Sequence, residues 1–85
     1  MNIYTLKKMH EAMHPNSHYF DRDTLKFFGE RMSSMSVLKN VVKIKDMYGN
    51  EHETYCVSSL QRNAPGGPQR YYSYFDTSTF ERIIT

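Results

Sequence analysis

Ile3, Leu6, Met9 and Met13 recur at steps of three and four, while Lys7, Lys8 and Glu11 fall mostly off that stripe. This period predicts an amphipathic helix at the N-terminus. Pro15 stops it, and the HPNSH connection that follows carries residues that break helices and favour turns. A second helix is predicted from Asp21 through LKFFGERMSSM, with Leu25, Phe28, Met32 and Met35 on one stripe and Phe27 about 100° away. Gly29 then lies inside a helix, at a cost of about 0.5–1 kcal/mol relative to Ala, so a close approach by another group is expected there.

Beyond Ser36 the period changes from 3.6 to two. In VLKNVVKIK, Leu38, Val42 and Ile44 share one parity and Lys39, Val41, Lys43 and Lys45 the other, the pattern of a half-buried strand. DMYG, Asp46 to Gly49, suits a type I turn with a following bulge, and HETYCVSSL reads as the return strand of a hairpin. RNAPGGP is a loop, QRYYSYF a third strand, and Thr77 to about Ile84 a short final helix. The expected fold class is α+β: two N-terminal helices, a three-stranded antiparallel meander and a short C-terminal helix, in one domain spanning residues 1–85. A meander this small needs helices on one face to be stable.

One stretch occurs twice. YFDRDTL, Tyr19 to Leu25, returns as YFDTSTF, Tyr74 to Phe80. In each copy an aspartate, Asp21 or Asp76, is placed to cap a helix. A preceding phenylalanine, Phe20 or Phe75, is placed to reach Leu25 or Phe80 as a hydrophobic staple. Thr24 and Thr79 stand where a full capping box has Glu or Gln. The repeat is therefore expected to be two helix starts rather than a duplicated site.

Composition narrows the function classes. A net charge of +2 is too mild to signal nucleic-acid binding by itself, and the chain is rich in Tyr, Phe and Met. No stretch of 18 consecutive apolar residues occurs, and MNIYTLKKMHEAM lacks a signal peptide's apolar run, so a soluble cytoplasmic protein without membrane contact is expected. Cys56, the single cysteine, reads as a small buried hydrophobe in a reducing compartment.

Two motifs suggest chemistry. HEAMH, His10 to His14, satisfies the H-E-x-x-H pattern of zinc peptidases, in which two histidines one turn apart hold the metal and the glutamate is general base. Its setting argues against that use: Lys8 puts a charge just upstream, Pro15 breaks the helix just after, and no third ligand stands out among His18 and Glu51. We therefore expect neither metal nor cofactor, and a zinc-dependent hydrolase is the least favoured class. APGGP lacks the Lys and Ser/Thr of a phosphate-binding loop, so it reads as a flexible hairpin connection.

A third feature is a candidate surface. Arg70, Tyr72 and Tyr74 share a strand face, and Lys43, Lys45 and Tyr55, with Lys39, join it if the hairpins pair appropriately. Rings between cations can stack bases and hold phosphates. Tyrosine serves equally well at protein interfaces. The competing structural role is that Tyr71 and Phe75 fill the core while Tyr72 and Tyr74 cover the sheet.

FDRDTLKFFGERM and, more loosely, YFDTSTFERI resemble segments of small proteins carried by bacteriophages and other mobile elements of bacteria. Some of these have an F-F-x-R-x-T-x-[RK]-F-F-G segment, which here is Tyr19 to Gly29 with tyrosine in the first place. The resemblance covers about a quarter of the chain. It implies an accessory protein of phage or mobile-element type and no catalytic residue. Taken together, the expected function is a non-enzymatic interaction module for a host or phage protein, with nucleic-acid binding by the tyrosine-bearing sheet face as the alternative.

Overall fold

The computed structural model describes residues 1–85. In chain order it contains α1 (Ile3–Met13), α2 (Arg22–Phe27), a 3-10 turn (Met32–Ser34), β1 (Met35–Val37), β2 (Val42–Lys45), β3 (Glu51–Gln61) and β4 (Gln69–Asp76). All strand pairs are antiparallel.

The Asn2 side chain opens α1 by accepting from the Thr5 N–H at 2.8 Å. Its buried stripe is Ile3, Leu6 and His10, whereas Met9 and Met13 are exposed. The predicted helix is present, but His10 takes the place in the core expected of a methionine.

The predicted second helix is much shorter than its apolar stripe. Asp21 caps it, its Oδ1 accepting from the Asp23 and Thr24 N–H groups at 2.7 and 3.3 Å. After six residues Gly29 adopts φ +72°, and the Glu30 and Gly29 N–H groups return to the Leu25 and Lys26 carbonyls. That double return is a left-handed helix stop, which glycine adopts without a Cβ penalty. A Cβ on Gly29 would lie 2.6 Å from the Gln61 side-chain nitrogen, so the expected close approach exists, made by Gln61. Met32 and Met35 still pack in or against the core, from the 3-10 turn and β1, while Phe27 and Phe28 are left outside.

β3 is the central strand. β4 lies along one edge, and β1 and β2 lie end to end along the other. Val37 faces Val57 and Val42 faces Thr54, so two extra residues are inserted between β1 and β2. The first strand of the predicted meander is thus present, begins earlier at Met35, and is broken in the middle. The insertion keeps parity, so Val42 and Ile44 lie on the face away from the helices, half-buried beside Thr54 and His52. The apolar parity read as core-facing is on the open side; Met35 and Val37, of the other parity, meet the helices.

On the helix side Ile3, Leu6, Phe20, Leu25, Met35, Val57, Phe75 and Phe80 form one buried cluster. The two phenylalanines of the repeat, Phe20 and Phe75, stack on each other at 5.6 Å with their planes 20° apart. Leu25 and Phe80, the staple positions, are both buried.

The C-terminal helix does not form. Asp76 Oδ1 accepts from the Ser78 and Thr79 N–H groups, so a helical turn begins, but Phe80 then takes φ +55°. A continuing helix would need the Thr79 and Phe80 carbonyls for the N–H groups of residues 83 and 84. His14 Nε2 and His10 Nδ1 donate to those carbonyls instead, and the Ile83 N–H goes to Tyr74. The tail runs back extended beside β4, with Arg82 opposite Phe75, and the Ile84 carbonyl accepts from the Met47 N–H.

Candidate functional site

The six residues of the expected sheet-face site fall on two faces. Tyr72 and Tyr74 lie across from Ser58 and Cys56, and Arg70 across from Leu60, on the face away from the helices. Tyr55 lies across from Phe75 on the helix side and packs against the core. Lys43 and Lys45 share its parity and oppose Glu53 and Glu51, with Lys43 Nζ 3.9 Å from the Glu51 carboxylate. The pleat, with its period of two, separates the cations of β2 from the rings of β4.

What remains together, Arg70, Tyr72 and Tyr74, lies beside Cys56 and Ser58 of β3, both buried although no helix lies above them. Arg70 Nη1 donates to the Ser58 hydroxyl at 2.8 Å. Tyr72 is about half exposed and Phe75 lies in the core. Tyr71, considered a core filler, is exposed instead and donates to the Gln69 side chain at 2.7 Å.

The histidines of HEAMH hold the second capping turn. His10 is buried, its Nδ1 donating to the Phe80 carbonyl at 2.6 Å and its Nε2 2.8 Å from the Ser17 hydroxyl. A carbonyl can only accept, so Nδ1 carries a proton. His14 Nε2 donates to the Thr79 carbonyl at 2.8 Å. No group of three or more His, Cys, Asp or Glu side chains is arranged so that it could hold a metal ion.

A different place collects charge. Between α1, α2 and the 3-10 turn lies an open groove of about 890 Å³, lined among others by Lys7, Arg22, Lys26, Glu30 and Arg31. A smaller hollow of about 330 Å³ shares Gly29, Arg31 and Asn63 with it and extends it to Arg62. Five cations and one carboxylate therefore line two neighbouring hollows, against a net charge of +2 for the whole chain. Lys7 is paired with Glu11 at 2.8 Å, but Arg22, Lys26, Arg31 and Arg62 have no carboxylate within 4 Å. Glu30 is turned to the sheet, accepting from the Ser59 hydroxyl at 3.0 Å.

At this groove's rim the chain passes from Lys26 to Gly29 through Phe27 and Phe28, 84% and 55% exposed. Their rings meet edge to face at 5.2 Å. The charge collection was not legible in the sequence, because Lys7, residues 22–31 and Arg62 come from separate segments that only the fold brings to neighbouring hollows. The available signal was the Lys/Arg spacing within DRDTLKFFGER.

A second polar cluster sits at the opposite end of β3. His52 Nε2 is 2.8 Å from Asp46 and its Nδ1 is 3.0 Å from Asp76. Both partners are acceptors, so the ring is an imidazolium. The Asp46 hydrogen bond and then the Asp76 one push the His52 pKa above its usual 6.5. The same bond, with the Asn50 and Tyr48 N–H groups, lowers the Asp46 pKa against a smaller opposing effect of burial. Burial works to raise Asp76, but the Thr79 and Ser78 N–H groups and His52 outweigh it and the net shift is downward. This cluster ties the β2–β3 turn to the second capping turn and has no nucleophile among its members.

Comparison of the chain with protein-family models, with curated proteins and with solved structures finds no match in any of the three. No helix is long and apolar enough to cross a membrane.

Proposed function

We propose that this protein is a non-enzymatic interaction module, of the phage or mobile-element accessory type, that binds an anionic region of another macromolecule in the groove between α1, α2 and the 3-10 turn. One observation carries the reading: of the cations without carboxylate partners, Arg22, Lys26 and Arg31 line the groove and Arg62 lines the hollow next to it. Like charges held together repel, so a fold that collects them gains nothing from the arrangement until an anion arrives. The buried thiol of Cys56 fits action in the cytoplasm.

Retention on an immobilised sulfated polysaccharide tests this. Arg22→Glu with Arg31→Glu should elute at clearly lower salt than Lys43→Glu with Lys45→Glu, although both pairs change the net charge equally. Equal shifts would mean that bulk charge, not the groove, does the binding.

A further inference from the structure

Resting on the reading of the groove as an anion site, we infer that its ligand is single-stranded nucleic acid, with phosphates held by Arg22, Lys26, Arg31 and Arg62 and a base stacked on Phe27. Three observations point this way. First, the cations are divided between two hollows that share Gly29, Arg31 and Asn63 and draw on both α2 and the loop after β3. A strand of phosphates suits cations divided in this way; a single carboxylate or phosphate does not need them.

Second, the groove offers little to a protein's apolar anchors. Interface cores are depleted of charge and enriched in pockets for aromatic side chains. Here the apolar lining is Phe20, Leu25 and Met32, of which Phe20 and Leu25 are already committed to the core, and the remaining side chains are mostly charged.

Third, Phe27 is an almost fully exposed ring that directly follows the groove residue Lys26 in the chain. Water disfavours such a ring, and the short helix that presents it ends immediately after it. Phe28 braces it edge-on. A basic groove that follows the backbone, with an aromatic platform for bases, is how single strands are held without strong sequence preference. Phenylalanine has no hydrogen-bonding group, so the platform should tolerate any base.

Fluorescence anisotropy with labelled oligo-dT, oligo-U and a duplex, and with polyglutamate as competitor, tests the inference. Both single strands should bind, more tightly than the duplex, and the logarithmic salt slope for four phosphate contacts should be about −3. Phe27→Ala should weaken binding roughly 5- to 100-fold, and Phe27→Trp should keep it. Both variants should melt with the wild type, since the side chain is exposed. If polyglutamate displaces the oligonucleotide equally well, or the duplex binds better, or Phe27→Ala binds unchanged, the nucleic-acid inference falls. Should those results come with binding still lost in Arg22→Glu with Arg31→Glu, the groove stands as a site for an acidic protein. No binding at low salt, or binding that ignores the groove pair, removes both readings.

Discussion

At the scale of single residues, the same side chain at equivalent places in the repeat has different work. The Asp21 side chain caps a helix and makes no other hydrogen bond or ion pair. Asp76 makes the same two backbone contacts with one oxygen and holds His52 with the other. Asp21→Ala should therefore cost about 0.5–2 kcal/mol, the range for a lost N-cap. Asp76→Ala should cost more, because it also leaves His52 with one carboxylate instead of two. Urea denaturation of the two variants checks the order. His10 shows the same dependence on place. Mid-helix spacing alone makes it half of a metal motif, while two hydrogen-bond partners and the rings of Phe20 and Phe75 make it a core residue.

At the scale of elements, the stop of α2 decides which surface the protein has. Had the helix continued, as Leu25, Phe28, Met32 and Met35 suggest, Phe28 would have faced the sheet. Because Gly29 reverses the chain, Phe27 and Phe28 are left at the rim and Arg31 swings into the groove. Gly29→Ala is expected to be destabilising by more than Gly66→Ala. Both positions have left-handed φ, which costs an L-residue about 1–2 kcal/mol. Only at Gly29 would the added methyl also displace a neighbour, Gln61, whereas Gly66 has open space. Chemical denaturation gives the difference, and equal losses would show that Gln61 yields freely.

For the whole molecule, the His52 cluster joins the β2–β3 turn to the start of the C-terminal tail, so its ionisation should be felt in global stability. His52 has a raised folded pKa, so its contribution is complete below its usual 6.5 and is lost as pH rises through the folded value. Asp46 and Asp76 have lowered folded pKa values, so theirs is complete above the usual 3.8 and is lost as pH falls through the folded values. The cluster should thus stabilise most between about 4 and 6.5 and less on either side. Melting temperature against pH reads this, and His52→Gln should flatten the alkaline limb. An unchanged limb would mean that the imidazolium contributes nothing to the fold.

Local physics was legible in the sequence wherever a few neighbouring residues settle the outcome. The first helix with its Pro15 stop, both aspartate caps, the Asp46–Gly49 turn and the antiparallel pairing all follow from period and turn chemistry, although the sheet has four strands rather than three. Where the outcome depends on groups distant in the chain, only the tertiary structure decided. The final helix stops where Phe80 turns left-handed, a turn held by His10 and His14, some 65–70 residues away, and by the bond from the Ile83 N–H to Tyr74. The sheet-face site divides because the registers of β2 and β4 on β3 put Lys43, Lys45 and Tyr55 on the helix side and Arg70, Tyr72 and Tyr74 on the other. The basic groove exists because α1, α2 and the loop after β3 converge. A hydrogen bond or a charge cluster has no sequence period when its members come from separate segments, so no pattern along the chain could announce it.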